Sequence, residues 1–242
     1  MRVVAVAEEN VAEGKKILGN IELEITHNNI DELLRDVDFD ILAVGDIYAK
    51  RGQEIIKALS VGKHIVSDKP LCTRIEELNQ IAEISEQKNL SVIVALDLRF
   101  YPTIQTAARL IGAGEIGEVS NIAVFGLHPL LYRSGRPDWY FQEGLHGGTI
   151  NDLMIHGVDA LNIITGYPVT EVVAARAWNF EVPQVPFFQD VAQGLLRLAN
   201  GAGVIFDVSY KAVPGHSTPW TFYFWGTGGE MILDLSAPDI VV

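Results

Sequence analysis

The stretch Asp40–Pro70, DILAVGDIYAKRGQEIIKALSVGKHIVSDKP, decides the fold class of the first part of the chain. It opens with a fully apolar run, continues through residues with helical spacing, and returns to a short apolar run at His64–Ser67. The helical segment repeats apolar residues at Ile55, Ile56 and Leu59. Fully apolar strands joined by a helix are typical of a parallel sheet that is covered on both faces.

The same alternation of strand and helix extends through the first hundred residues. The predicted strands, besides Asp40–Gly45 and His64–Ser67, are Val3–Ala7, Ile21–Ile25 and Leu90–Leu96. The predicted helices are Asn10–Leu18, Ile30–Val37, Ala49–Val61 and Ile75–Gln87. We therefore predict a parallel-sheet domain over residues 1–118.

The second part of the chain is richer in strands, aromatic residues and turns. A helix over Tyr101–Ile111 precedes it, and one long helix over Thr149–Ile164 interrupts its strands. Asn200-Gly201 separates two strand-like runs and is a strong hairpin signal. Strands joined by tight turns predict a mostly antiparallel sheet with a helix on one face, over residues 119–242. The predicted strands are Val119–Phe125, Glu171–Trp178, Asp190–Leu198, Ala202–Tyr210, Trp220–Gly226 and Met231–Leu235.

The composition argues against several classes of partner. The 242 residues include 31 acidic and 18 basic ones, a net charge of −13. Nucleic acids and anionic membranes bind mainly clustered lysine and arginine, so neither is expected as a partner. No apolar stretch reaches the roughly 18 residues that a membrane span needs. The single cysteine, Cys72, excludes an intrachain disulfide and predicts a reducing, cytoplasmic compartment.

One glycine pattern matches a dinucleotide-binding fingerprint, Gly112-Ala113-Gly114-Glu115-Ile116-Gly117. That fingerprint requires a strand before it and a helix after it, so that a phosphate meets a helix N-terminus. Here a predicted helix precedes the glycines and a predicted strand follows them. We therefore interpret the match as a helix end and a turn between domains.

Glu8 and Glu9 give a better indication of a nucleotide. An acidic residue at the end of the second strand of a dinucleotide-binding sheet accepts hydrogen bonds from ribose hydroxyls, about 20 residues after the glycine turn. Only seven residues precede Glu8, which is too few for that turn. Either the sequence is incomplete at its start or the phosphate site is absent. An ordinary loop carboxylate is the alternative interpretation.

Ser67-Asp68-Lys69-Pro70 directly follows a predicted buried strand, which puts Lys69 at the carboxyl end of the parallel sheet, where ligands bind. A lysine there can donate to a substrate hydroxyl and help to transfer a proton. Pro70 makes the preceding peptide bond a candidate for the cis form, which would fix the direction of the lysine. The alternative is a surface lysine at a strand–helix turn.

Asp152, His156 and Asp159 are spaced i, i+4 and i+7 in the long second-domain helix, so they share one stripe. A carboxylate one turn before a histidine can orient the imidazole and raise its basicity, which suits a general base. A solvated polar face is one alternative. The other is a metal site, which would need His128 or His146 to converge on the same place.

The segment Tyr132–Phe141 interleaves arginines with aromatic residues, and its glycine and proline predict a loop. Such loops can stack against a sugar ring or hold a carboxylate. An aromatic loop packed on the sheet is an equal alternative.

Several of these segments, taken in chain order, resemble those of the Gfo/Idh/MocA family of NAD(P)-dependent oxidoreductases. Ala58–Pro70 resembles the family's helix, strand and Glu-Lys-Pro turn, with Asp68 in place of the glutamate. Leu98–Pro102 resembles its Arg-Phe-x-Pro turn, Gly114–Gly117 its domain junction, and Gly147–Asp159 its second catalytic segment. Each motif is moderately specific, and their order and spacing make the set strong.

The resemblance implies a Rossmann domain followed by an open α/β sheet domain, with the active site between them. It implies hydride transfer between a nicotinamide and a carbinol carbon of a sugar, a polyol or a related compound. Lys69 and His156 take the acid/base roles, and Asp152 orients the substrate or the histidine. This agrees with the chemistry, because alcohol oxidation requires a base beside the hydroxyl as the hydride leaves.

The resemblance also implies the binding residues and partners. Glu8 should repel a 2′-phosphate, so NAD is expected rather than NADP. A homo-oligomer formed through the second-domain sheet is expected, and no metal. The cofactor-binding residues are Glu8, Glu9, Gly45, Asp46, Asp68, Lys69 and Arg99. The substrate-binding residues are Arg136, Trp139, Asp152 and His156.

Three departures from the family pattern keep other hypotheses open. The glycine fingerprint is missing, Ile47–Arg51 replaces the family's Pro…His segment, and the chain ends soon after the Gly226–Glu230 hairpin. We therefore expect a chain that lacks the first Rossmann strand, the glycine loop and the C-terminal end. The missing loop favours a non-catalytic sugar-binding or regulatory protein as the alternative. A metal-dependent lyase or isomerase built on Asp152 and His156 is the third hypothesis.

Overall fold

A computed structural model describes residues 2–132, 134–211, 220–237 and 240–242. The chain forms two compact units, Met1–Ala95 and Leu96–Val242. The first contains a three-stranded sheet and the second a seven-stranded sheet. The units divide earlier in the chain than the predicted boundary at residue 118, which stays a prediction.

The first unit is built on a parallel sheet, as the apolar strands predict. Its strands are β1 (Ile41–Val44), β2 (His64–Ser67) and β3 (Val92–Val94), in the order β1-β2-β3. Ile41 pairs with His64, and Ile65 pairs with Val92. The helices are α1 (Val11–Leu18), α2 (Ile30–Asp36), α3 (Tyr48–Ser60) and α4 (Ile75–Lys88).

Helix α3 forms the core of this unit because its apolar residues recur at helical spacing. Ile55, Ala58 and Leu59 are completely buried and pack in one cluster with Ile65 of β2 and Ile81 of α4. The core therefore lies between the sheet and these two helices, and it leaves the carboxyl ends of the strands to polar residues.

The predicted strands Val3–Ala7 and Ile21–Ile25 are wrong. Ala7 forms a single parallel bridge with His27, which lies just after the second segment, and neither segment belongs to a sheet. The carbonyl of Val6 accepts from the backbone nitrogens of both Thr26 and His27, and the Thr26 hydroxyl accepts from the nitrogen of Val6. These bonds replace the regular ladder, so β-branched composition alone does not produce a strand here.

The second unit is built on a mostly antiparallel sheet, as predicted. The strand order is β10-β9-β8-β4-β7-β6-β5, and the pair β4–β7 is parallel while the other pairs are antiparallel. The strands are β4 (Val119–Leu127), β5 (Val169–Trp178), β6 (Val191–Leu198), β7 (Gly203–Ser209), β8 (Trp220–Gly226), β9 (Glu230–Asp234) and β10 (Ile240–Val241). The helices are α5 (Pro102–Gly112) and α6 (Ile155–Thr165).

Two turns confirm the sequence interpretation. Asn200-Gly201 joins the antiparallel strands β6 and β7, and Gly201 has a positive φ of 90°. The glycine match at 112–117 lies between the end of α5 and the start of β4, with Gly114 at a φ of 78°. It is therefore a helix end and a turn, and no helix N-terminus follows it.

The two faces of the seven-stranded sheet differ. One face is buried and carries large apolar side chains, including Val124, Phe206 and Phe222, each 0% exposed. Helix α6 covers this face so closely that a Cβ on Gly157 would lie 2.5 Å from the Phe206 ring. The opposite face is open: Leu195 and Ile205, which pair across β6 and β7, are 42% and 57% exposed.

None of the helices in the described parts of the chain combines the length and apolar character needed to cross a membrane.

Candidate active site

Lys69 lies at the carboxyl end of β2, as predicted. Its peptide bond to Pro70 is cis. Its backbone nitrogen donates to a carboxylate oxygen of Asp68 over 2.8 Å, and its Nζ lies 5.9 Å from the centre of the Tyr48 ring. The lysine is partly buried at this turn, and its role toward a substrate stays a prediction.

A buried arginine, which the sequence argument missed, holds the turn that carries Lys69. Arg51 of α3 donates to the carbonyls of Asp68 (3.0 Å) and Pro70 (2.7 Å), and also to the carbonyl of Asp46 (2.7 Å). Its side chain is 1% exposed. Burial lowers the pKa of its guanidinium, and the nearby Asp68 carboxylate opposes that effect.

Gly45 and Asp46 follow the carboxyl end of β1, and there the Asp46 carboxyl group meets that of Glu54 from α3. Burial raises the pKa of Glu54 to about 8, and a hydrogen bond to Asp46 and repulsion by its carboxylate act in the same direction. Asp46 also accepts from the backbone nitrogen of Ile47. A Cβ on Gly45 would meet no atom within 4 Å, so this end of β1 is open to a ligand.

Glu8 and Glu9 lie in the same unit, just before α1. The Glu8 carboxylate accepts from the backbone nitrogen of Asn10 over 2.7 Å. Glu9 accepts from Lys50 Nζ over 3.0 Å, and this bond raises the pKa of the lysine. Both glutamates therefore have local partners, and their role toward a ribose stays a prediction.

Asp152 lies in a π-helical turn, Ile150–Met154, directly before α6. The turn is one residue wider than an α-helical turn, a feature often found at functional sites. The Asp152 carboxylate is 1% exposed and accepts from the hydroxyls of Tyr140 (2.8 Å) and Tyr210. His146 Nε2 lies 3.4 Å from the same carboxylate.

These contacts make Asp152 the centre of a buried cluster. Burial raises the pKa of Tyr210 well above its ordinary value, and the negative charge of Asp152 adds to the effect. The Tyr210 hydroxyl therefore stays protonated and stays a donor. A solvated polar face, one of the alternatives for this helix stripe, is excluded for Asp152 and for Asp159, since both are buried.

His156 lies in the first turn of α6, and its side chain is 16% exposed. Its Nδ1 lies 3.9 Å from a carboxylate oxygen of Asp97, which belongs to the 3₁₀ turn Asp97–Phe100. Its ring lies edge-on to the Trp220 ring at 6.3 Å between centres. A histidine beside a carboxylate is an arrangement that suits general acid–base chemistry.

Asp159, the third member of the predicted stripe, binds Arg99. The Arg99 guanidinium donates to both Asp159 carboxylate oxygens, with Nε at 3.1 Å from one of them. This pair raises the pKa of Arg99. The predicted cofactor ligand Arg99 therefore also joins the 3₁₀ turn that carries Asp97 to helix α6.

The predicted substrate loop contains a short 3₁₀ turn, Asp138–Phe141. The Arg136 guanidinium lies 4.8 Å from the centre of the Tyr140 ring and 5.9 Å from that of Tyr210, and its Nη2 lies 2.8 Å from His128 Nδ1. Trp139 is partly buried beside Tyr140, with 4.9 Å between ring centres. Arg133 of this loop lies outside the described residues.

No group of three or more histidine, cysteine, aspartate or glutamate side chains in the described parts of the chain could hold a metal ion. Of the two histidines that a metal site would need, His146 lies against Tyr210 and Asp152, and His128 lies against Arg136.

The structure thus gathers the predicted residues into two groups, one in each compact unit. The first contains Asp46, Asp68 and Lys69, joined through Arg51. The second contains Asp152 and Arg136, joined through Tyr140, while His156 lies beside Asp97 and Trp220 in the same unit. Sequence reasoning missed the partner residues, because no spacing rule connects residues that meet only through tertiary packing. They are Tyr48, Arg51, Glu54, Asp97 and Tyr210.

Comparison with family models accounts for most of the chain. Residues 1–96 match the model of an oxidoreductase family with an NAD-binding Rossmann fold. Residues 104–232 match the GFO/IDH/MocA C-terminal domain.

Similar proteins share low identity with this chain. An uncharacterized oxidoreductase of Synechocystis, sll0816, is 26% identical over 68% of this chain and 45% of its own length. The dTDP-3,4-didehydro-2,6-dideoxy-alpha-D-glucose 3-reductase of Saccharopolyspora spinosa is 25% identical over 96% of this chain and 66% of its own length. The chain thus spans about half to two thirds of the length of these relatives.

A solved structure of levoglucosan dehydrogenase, in complex with NADH and L-sorbose, has the same fold. It superposes with a TM-score of 0.81 at 22% identity, over 96% of this chain and 64% of that one.

Proposed function

The chain belongs to the GFO/IDH/MocA oxidoreductase family, and from this premise we propose that it takes part in hydride transfer between a nicotinamide cofactor and a carbinol or carbonyl carbon. The proposed substrate is a sugar, a polyol or a related compound. The names of a sugar-nucleotide reductase and of levoglucosan dehydrogenase among the similar proteins support this substrate class.

One observation carries the proposal: Lys69 is held at the carboxyl end of β2 by Arg51, inside the segment that matches the NAD-binding model. Ligands of parallel sheets bind at this end of the strands. A cation fixed there can hold the oxygen of a reacting hydroxyl or carbonyl.

The residues of the first unit fit a nicotinamide dinucleotide in part. The open edge at Gly45 and Asp46 and the side chain of Lys69 would hold the nicotinamide half, and Glu8 or Glu9 the adenosine ribose. The first glycine of the chain is Gly14, inside α1, so the described residues supply no glycine turn for the diphosphate. Carboxylates near the ribose disfavour a 2′-phosphate, and NAD is therefore proposed rather than NADP.

The protein's own groups would manage the proton. When bound, the nicotinamide supplies the hydride acceptor or donor. His156, with Asp97 beside it, is the proposed base that removes the hydroxyl proton of an alcohol or returns it to a carbonyl. Lys69 is proposed to donate a hydrogen bond to a substrate oxygen. Asp152 is proposed to hold Tyr140 and Tyr210, which lie beneath the Arg136 guanidinium in the proposed sugar site.

Binding and turnover test this proposal. The fluorescence of NADH should change on addition of the protein, and a panel of sugars and polyols should include one that the protein oxidises with NAD. Lys69→Ala and His156→Ala should each lower kcat by about 100-fold to 10,000-fold, and His156→Ala should leave NADH affinity nearly unchanged. Lys57→Ala, on the outer surface of α3, is the matched control. Absence of NADH binding at millimolar concentration contradicts the proposal.

Self-association and location are also proposals. The open sheet face that carries Leu195 and Ile205 is proposed to join copies of this chain into a homo-oligomer. The single cysteine, Cys72, supports a reducing, cytoplasmic compartment.

A further inference from the structure

We propose that Arg51 is a positioning residue that fixes the direction of the Lys69 side chain. The catalytic importance of Lys69 rests on the proposed function, whereas the restraint of its side chain by Arg51 does not. Arg51 itself is almost completely buried, so it acts through the groups that it holds and not on a ligand.

The hydrogen bonds of Arg51 surround Lys69 along the chain. Its Nη1 donates to the carbonyl of Asp68, the residue before the lysine, and to the carbonyl of Pro70, the residue after it. Rotation of the backbone at Lys69 would break one of these two bonds. The arginine therefore restrains the bond from which the lysine side chain departs.

The second terminal nitrogen extends the restraint to the neighbouring strand. Arg51 Nη2 donates to the carbonyl of Asp46, two residues after the end of β1. One side chain thus ties together the exits of β1 and β2, the two edges that are proposed to face the cofactor. A shift of one exit relative to the other would cost hydrogen bonds to a charged donor, which are stronger than neutral ones.

Tyr48 completes the arrangement from the same helix. Its ring centre lies 5.0 Å from the guanidinium carbon of Arg51 and 5.9 Å from Lys69 Nζ. The arginine holds the backbone of the turn while the ring supports the far end of the lysine side chain. Both residues lie in the first turn of α3, so this one turn supports the backbone and the side chain of Lys69.

Stability alone does not require an arginine at this place. Burying a guanidinium carries a desolvation cost, and apolar residues of similar volume are often as stabilising. The planar fork of arginine, however, offers five N–H donors in fixed directions, which lysine cannot reproduce. This fork can donate to three carbonyls at the ends of two strands at once.

A double-mutant cycle tests the link in the full chain. Arg51→Ala is expected to lower kcat by about 10-fold to 100-fold, the effect of misplacing a reacting group, and to leave the substrate KM nearly unchanged. In a Lys69→Ala background the same substitution should have almost no further effect. Added guanidinium should restore turnover to Arg51→Ala but not to Lys69→Ala. Additive losses, or no rescue by guanidinium, would overturn the proposal.

A labelling experiment separates this proposal from the proposed function, because it needs no turnover. Acetylation of Lys69 Nζ by a lysine-directed reagent is followed by mass spectrometry, with Lys57 as the internal reference. The rate at Lys69 should change by about threefold or more in Arg51→Ala and return with guanidinium, while Lys57 stays constant. Equal rates at Lys69 in the variant and the unaltered chain would refute the link whether or not the protein is an oxidoreductase.

Two further variants guard against a folding defect. Arg51→Lys keeps a buried cation but not the fork, so it should fold and still show the altered labelling at Lys69. Arg35→Ala removes an exposed arginine that pairs with Asp36 in the same unit, and it should change neither measurement. An Arg51→Lys protein that behaves like the unaltered chain in both experiments contradicts the proposal.

Discussion

At the scale of single residues, two buried carboxylates of this chain are each held by several donors at once. Asp152 accepts from two tyrosine hydroxyls, and Asp190 accepts from the backbone nitrogens of Phe180, Glu181 and Val182. Such partners offset the desolvation cost of a buried carboxylate. Removing one donor should therefore cost more than removing an exposed group of the same type.

Tyr210→Phe tests this expectation at the proposed active site. The substitution removes one of the two hydroxyls that Asp152 accepts from, so the free energy of unfolding should fall by about 1–3 kcal/mol. Turnover should fall as well, because the lost hydroxyl no longer holds the Asp152 carboxylate in the proposed substrate site. Urea denaturation measures the first effect, and Tyr167→Phe, an exposed tyrosine, is the control. Equal denaturation midpoints would show that the hydroxyl does not support Asp152.

Glu54 should make stability depend on pH. Its pKa is raised from 4.5 to about 8 in the folded chain, so between about pH 5 and pH 8 the folded chain holds a proton that the unfolded chain releases. The stability that the bound proton contributes is therefore present at low pH, and it is lost as the pH rises through this window. In Glu54→Gln the melting temperature should consequently fall less over that range. Asp46, Lys50 and Glu9 are the charged neighbours of Glu54. Parallel pH dependences of the two proteins would contradict the raised pKa.

At the scale of elements, helix α6 positions His156 through its contact with the sheet. Gly157, the next residue, lies against the rings of Phe206 and Trp220, where a Cβ would lie 2.5 and 2.8 Å from ring atoms. Only a glycine permits this approach. The distance between the helix and the sheet therefore depends on a residue that carries no chemistry of its own.

Gly157→Ala should move the helix away from the sheet. Overpacking against two rings should destabilise the protein by about 1–3 kcal/mol, and the displaced His156 should lower turnover. Gly112→Ala is the matched control, because a Cβ at that helical position meets no atom within 4 Å. It should be neutral or slightly stabilising. Thermal denaturation of both variants measures the difference, and a Gly157→Ala protein as stable as Gly112→Ala would disprove the close contact.

At the scale of the whole molecule, the open face of the seven-stranded sheet exposes several large apolar side chains. Phe125, Leu195 and Ile205 are exposed there, and Phe125 and Tyr223 are in edge-to-face contact. A contiguous apolar surface of this kind is typical of a protein interface.

Ile205→Glu should weaken the proposed homo-oligomer. A carboxylate in the middle of the face would have to be desolvated on association, so the molecular mass from light scattering should shift toward that of the single chain. Ile75→Glu, at an equally exposed position in the first unit, should leave the mass unchanged. If the unaltered protein is monomeric at high concentration, the proposed interface is wrong.

Sequence reasoning predicted most of the fold because apolar periodicity survives in the folded chain. The strand His64–Ser67 and the helix beginning at Ile75 match the predicted positions, as does the hairpin at Asn200-Gly201. The failures, Val3–Ala7 and Ile21–Ile25, have equally good strand composition. Strand formation depends on a pairing partner, which composition does not reveal.

The candidate site was predictable only where a residue stands at an element end or in a helical repeat. Lys69 follows a strand, and Asp152 and His156 follow helical spacing, so each could be named. Their partners could not, because Arg51 and Asp97 belong to elements whose contacts are set by tertiary packing. The π turn also has no signature in the sequence Ile150–Met154, and it alters the helical spacing on which the stripe argument depends.

The position of β4 in its sheet has a consequence for folding order. Its neighbours on both sides come late in the chain: Ala123 pairs with Ile205 and with Tyr223, which is a hundred residues further on. During synthesis β4 thus emerges long before either neighbour, whereas β1, β2 and β3 can pair within about fifty residues. The sheet of the first unit can form during synthesis, while β4 of the second unit still has both edges unpaired. The nascent chain is most exposed to aggregation during this interval.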